Sequence, residues 1–196
     1  MGLVETFKES FSPNDFSAIV GMDRFNWNFL PASGHSGGIL IGSNKDIFDF
    51  VAFDHGIFWA SVVLSHKAQN TLCEFIVVYG PADHSLSPLF LNELSLKIDA
   101  CNLPMVIGGD FNLLRCPNDK SNDNFSWPLA NAFNNFISAN AIRELPRGEL
   151  GIPGPIISQS LLDQCLTESS FVPGGIPCSL GPLFTPNALS VPIIPP

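Results

Sequence analysis

The chain has 196 residues, 45% of them hydrophobic and only 14% charged, which is enough for one domain with a sizeable core. A formal net charge of −9 and a pI near 4.6 argue against a broad electrostatic grip on nucleic acid, but not against a metal-dependent site that is itself acidic. No apolar run reaches the roughly 18 residues that a membrane span requires.

In chain order, residues 1–4 read as a short apolar strand ending at the carboxylate of Glu5. Further strands are predicted at 38–41, 58–64, 75–79 and 105–107, all rich in branched or aromatic residues. Between the last two, residues 88–101 place Phe90, Leu94 and Ile98 on one helical face, with Asp83, Ser85 and Ser87 as candidate caps. A second helix fits 129–140, with Phe133, Phe136 and Ile137 on its buried side. Strands separated by helices imply an α/β layered domain. Trp27 and Trp59 fit a core or sheet face, and the pairs Asp54-His55 and Asp83-His84 fit solvated loops. The five cysteines contain no C-x-x-C pair, and no secretory signal opens the chain, so reduced thiols in an intracellular protein are expected.

The composition changes near Gly148. Residues 151–196 carry two charges, Asp163 and Glu168, and nine of the 17 prolines. A linker rich in proline is ordinarily polar, and this stretch is apolar, so it suits neither a linker nor a folded element. The domain is therefore expected to span 1–147, followed by a Pro-rich tail over 148–196.

The most informative segment is Ile107-Gly108-Gly109-Asp110-Phe111-Asn112 at the end of a buried strand. Two glycines allow a tight turn and close backbone approach. Asp110 and Asn112, two apart, would project to one side, where a carboxylate can polarise water and an amide can orient a phosphate oxygen. On the hexapeptide alone, a plain glycine turn with Asp and Asn as local turn formers explains it equally well. The loop 34–38 is no P-loop, because no G-K-[ST] follows, and His35 within it carries no specific signal.

Three more segments bear on that choice: Leu3-Val4-Glu5-Thr6, Val77-Val78-Tyr79-Gly80-Pro81 and Pro31-Ala32-Ser33-Gly34-His35-Ser36-Gly37-Gly38. Together with the Gly-Gly-Asp-Phe-Asn segment and Asp119-Lys120-Ser121, their order resembles the endonuclease/exonuclease/phosphatase superfamily, in particular the endonuclease domain of plant LINE-type (non-LTR) retroelements. The resemblance covers about residues 1–147. It implies a four-layer sandwich of two mixed β-sheets flanked by helices, truncated here. It also implies Mg²⁺-dependent (or Mn²⁺-dependent) hydrolysis of a phosphodiester, with DNA as partner. By the same resemblance Glu5 is the metal ligand, Tyr79 contacts the scissile phosphate region, Asp110 prepares the water, and Asn112 assists near the phosphate.

Two parts of that pattern are missing: a first strand with an active-site Asn, and the closing Thr-Trp, Leu-Asp-Arg and Ser-Asp-His motifs. Codons beginning at the third base of the tail codons can spell all three motifs, at 149–151, 165–168 and 191–194. The two Asp codons then fall 26 codons apart, between residues 166 and 192. A frame change near Gly148 is the expectation, and with it an out-of-frame, disordered tail and little or no catalysis. The alternatives are a non-catalytic binding module, a relic without selected function, or a phosphomonoesterase of the same fold.

Overall fold

Strand β6 (Thr71–Tyr79) dictates the layering, because it is apolar on both faces and must be covered twice. Cys73, Phe75 and Val77 join one buried cluster, whereas Ile76 and Val78 join another, as the two-residue period of a strand requires. In the computed structural model of the protein the described residues are 1–12, 15–16, 24–33, 37–117, 125–144 and 183–185.

Two sheets result. The smaller contains β1 (Gly2–Val4), β2 (Phe25–Leu30) and β3 (Ile39–Asn44), antiparallel in the order β1-β3-β2. The larger adds β4 (Phe48–His55), β5 (Trp59–His66), β7 (Met105–Asp110), β8 (Arg143–Glu144) and β9 (Leu183–Thr185) to β6, in the order β4-β5-β6-β7-β9-β8. Its neighbours are antiparallel except β6 and β7, which run parallel. The parallel pair needs a crossover, supplied by helix α1 (Ser87–Ala100).

Ile39 and Ile41 of the smaller sheet pack on Val62, Leu64, Phe75, Val77 and Val106 of the larger. On the opposite face, Phe90, Leu94 and Ile98 of α1 meet Phe133, Phe136 and Ile137 of helix α2 (Trp127–Ala139) over Ile76, Val78 and Ile107. The expected α/β sandwich is therefore present as two face-to-face sheets with helices outside the larger one. The described residues contain no third long helix to cover the smaller sheet.

The expected strands and both helices form, most of them longer than their apolar centres. Four strands went unread: β2, β4, β8 and β9, the last within the stretch expected to be a disordered tail. β4 is an edge strand, exposed along most of its length, with Asp49 and Asp54 and a bulge between Phe50 and Ala52 breaking its alternation. In β2, asparagines alternate with Phe25, Trp27 and Phe29, and no residue is fully buried. Trp27 lies across Gly42 of β3 and Trp59 is core, as expected of both. Asp54-His55 is not a loop pair, however: it ends β4, and Asp54 binds Lys97 at 3.0 Å. Asp83 caps the short turn His84–Leu86 by accepting from the Ser85 amide, whereas Ser87 is already inside α1, whose N-cap is Leu86. Cys73 and Cys101 are buried thiols, in keeping with the reduced state expected of them.

Of the Pro-rich tail, Leu183–Thr185 is described and adds strand β9 beside β7. The remaining tail, the boundary near residue 147, His35 and Asp119-Lys120-Ser121 lie outside the described residues. No helix among the described residues is long and apolar enough to cross a membrane.

A charged group sits inside this apolar frame. Glu74, on the helix-facing side of β6 and only 4% exposed, accepts hydrogen bonds from Ser61 Oγ (2.6 Å), Lys97 Nζ (2.8 Å) and Cys101 Sγ (3.0 Å). Burial pushes the Glu74 carboxyl up, but those hydrogen bonds and the Lys97 charge outweigh it and hold the group below the usual carboxylate range. The cost appears on Cys101, whose thiol is pushed up to about 11 by burial and by its bond to Glu74.

Candidate active site

The ends of β6 and β7 place Tyr79 and Asp110 side by side, because they are partners in the parallel register. Both lie in the alternation that faces the smaller sheet. The smaller sheet brings the third group. β1 ends at Val4, and the next residue, Glu5, accepts a 2.8 Å hydrogen bond from the Tyr79 hydroxyl.

The backbone is shaped to allow this meeting. Glu5 and Phe7 have φ of 57° and 50°, the left-handed region that non-glycine residues rarely adopt, at a cost of about 1–3 kcal/mol each. The turn is held by Phe7 N–H donating to the Gly37 carbonyl (2.7 Å) and Ala32 N–H donating to the Lys8 carbonyl (2.9 Å). Gly37 fits against the pair it supports: a Cβ there would lie 2.9 Å from Glu5 Cα and 3.1 Å from the Tyr79 ring. On the other side, Gly109 has φ of 135° and no room for a Cβ, which would come within 2.0 Å of the Val78 carbonyl oxygen.

Asp110 and Asn112 are engaged in the turn they form. The Asn112 amide N–H donates to Asp110 Oδ1 (2.9 Å), and Asn112 Nδ2 donates to the Gly80 carbonyl (2.8 Å), with Asn112 at φ of 50°. Gly80 N–H in turn donates to the Asp110 carbonyl at 2.6 Å. The turn-forming reading of these two residues therefore holds, and it does not compete with a chemical one. Asp110 Oδ2 accepts no hydrogen bond among the described residues, and one Nδ2 hydrogen of Asn112 is left for another acceptor.

Two carboxylates flank one phenol, and the phenol responds. Burial, the hydrogen bond to Glu5 and the negative charges of Glu5 and Asp110 push Tyr79 up to about 12. Tyr79 is thus a neutral donor across the physiological range, not a nucleophile. All four residues singled out in the sequence, Glu5, Tyr79, Asp110 and Asn112, fall in this one place. Gly37 and Phe7 were not singled out. Gly37 is one of several glycines in its loop, and Phe7 follows Glu5-Thr6 with no periodic signal.

No group of three His, Cys, Asp or Glu side chains that could cage a metal occurs among the described residues. A small hard cation is a different case, because Mg²⁺ keeps several waters and takes one or two carboxylates. Glu5 Oε1 is used by Tyr79, while Oε2 has no protein partner among the described residues, so the donor chemistry fits such an ion.

No family model and no curated protein sequence matches this chain. Among solved structures it is similar to the human Nocturnin catalytic domain (14% identity, TM-score 0.47, covering 72% of this chain and 56% of that one). It is also similar to the endonuclease domain of TRAS1, a telomere-specific non-LTR retrotransposon (11%, 0.48, 64% and 57%). A third is an endonuclease/exonuclease/phosphatase family protein from Bacteroides thetaiotaomicron (13%, 0.45, 63% and 49%). The chain spans about half the length of these structures.

Proposed function

We propose that the site is that of a divalent-metal-dependent phosphodiesterase acting on DNA, in a chain whose own turnover is weak or absent. The observation that carries the reading is the Glu5–Tyr79 hydrogen bond beside Asp110, which joins the residue after β1 of the smaller sheet to the ends of β6 and β7 of the larger. Glu5 would hold Mg²⁺ or Mn²⁺ through its remaining oxygen, and the ion, when bound, supplies Lewis-acid polarisation of a phosphoryl oxygen. Asp110, at the end of β7, would orient a water and accept its proton through Oδ2. Asn112 would offer its second amide hydrogen to a phosphate oxygen without adding negative charge. Tyr79, kept protonated, would fix the Glu5 carboxylate.

The retroelement-endonuclease reading rests on the sequence segments, and so does the expectation of lost activity. Residues 148–196 spell no Ser-Asp-His, and a net charge of −9 opposes retention of DNA. Nicking of supercoiled plasmid in Mg²⁺ is therefore expected to stay at the level of an Asp110→Ala variant. A chain rebuilt with the shifted frame after Gly148 and with an Asn-bearing first strand ahead of Glu5 should nick, and Asp110→Ala should then lower the rate by about 10²-fold or more. Asp110-dependent nicking by the unaltered chain would refute the loss of activity. A rebuilt, folded chain that fails to nick would refute the nuclease itself.

A further inference from the structure

Phe7 is the most exposed large apolar residue among those described, at 75%, and it holds its place in left-handed backbone. The nearby Phe11 behaves as an ordinary apolar residue would, packing against Phe16 and Phe29 at ring distances of 5.5 and 5.1 Å. Phe7 therefore spends both hydration and backbone strain on a position that contributes little to the core. Strain of this kind on a bulky residue persists where the surrounding structure enforces it, and here the Gly37 carbonyl does so.

The location gives the ring a use. Phe7 is two residues from Glu5, so their Cα atoms are at most about 7.6 Å apart by chain geometry. Its amide is tied to the residue that packs on the Tyr79 ring. We propose that Phe7 is a nucleobase-stacking subsite at the rim of the Glu5–Tyr79–Asp110 site, holding the base next to the bound phosphodiester. The inference rests on the phosphodiesterase reading and deepens it. Stacking on an aromatic face needs no positive charge, and a chain of net charge −9 has few cations to grip a phosphate backbone. A ring beside the acidic site is therefore the contact that such a surface can offer to a nucleotide.

The test uses the full chain with Mg²⁺ and two single-stranded DNA probes of equal length, one with ordinary bases and one wholly abasic. The base-containing probe should bind about tenfold more tightly, in the range reported for one aromatic stack. Phe7→Gly should reduce it to the abasic level, leave the abasic affinity unchanged, and melt no lower than the parent, because glycine accepts positive φ freely. Phe7→Trp should retain the preference for bases. Two results overturn the subsite alone: Phe7→Gly leaves the base preference intact while Glu5→Gln weakens binding, or Phe7→Gly lowers the melting temperature and both affinities together. Failure of both probes to bind, or binding indifferent to Glu5→Gln, overturns the underlying site and the subsite with it.

Discussion

Lys97→Met is expected to destabilise the protein by about 3–5 kcal/mol, the usual cost of stranding one member of a buried ion pair. The Lys97 side chain is 12% exposed, lies 2.8 Å from Glu74 and 4.7 Å from the Trp59 ring centre, and methionine preserves most of its volume. What the variant loses is the cation, leaving Glu74 under α1 with only Ser61 and Cys101 as donors. Urea denaturation should show the loss as a lower midpoint with an unchanged slope. Acidification should separate the two proteins by sign. In the parent, Glu74 sits below its ordinary range, so its contribution is present above the unfolded carboxylate pKa and is lost as pH falls through the lower folded value. Without Lys97, burial dominates and raises the carboxyl, so the variant should gain stability relative to the parent as the pH drops. A parent and variant that respond alike to acid would mean that Glu74 is solvated and not part of the core.

Gly109→Ala should be at least as damaging, about 4 kcal/mol or more, because two independent barriers meet at one residue. The φ of 135° is hostile to any L side chain, and the new Cβ would lie 2.0 Å from the Val78 carbonyl oxygen, 2.8 Å from Val78 N and 3.0 Å from its carbonyl carbon. All three are backbone atoms of the adjoining strand, so no rotamer change relieves the clash. The strands must separate where Val78↔Gly109 and Tyr79↔Asp110 are paired, which displaces Asp110 from Tyr79. Hydrogen exchange localised to the ends of β6 and β7 would report this; unaltered protection and unaltered stability would contradict the tight β6–β7 approach.

These two positions illustrate what the sequence makes legible. The double glycine before Asp110 announces close approach, and the structure supplies the partner, the Val78 carbonyl. Glu74 and Lys97 announce nothing, since a charge beside an apolar run is as often a strand end, and only the three donors around Glu74 explain its burial. Strand centres such as Met105–Ile107 are visible in branched apolar runs, whereas β4 hides behind its aspartates and its bulge. The meeting of Glu5 with Tyr79 spans 74 residues of chain, and no local pattern encodes it. It came from the family resemblance, and physically it follows from β1 packing over β6, where Gly2 lies against Val77. Asn112 is a mixed case: its place in the turn after Asp110 was readable, but its left-handed φ of 50° breaks the strand alternation, and its amide clamp on Gly80 depends on the neighbouring strand.

The assembly of the site can be tested through Tyr79, the single tyrosine of the chain. A pH titration of tyrosinate absorbance, with circular dichroism recorded on the same samples, reads that one phenol and the integrity of the fold together. The expected midpoint is about 12, not the ordinary 10.0, with stability declining as the pH rises through this interval, and Glu5→Gln should return the midpoint toward 10.0. A midpoint near 10.0 in a chain that is still folded, or one insensitive to Glu5→Gln, would mean that Glu5, Tyr79 and Asp110 do not form one acidic site.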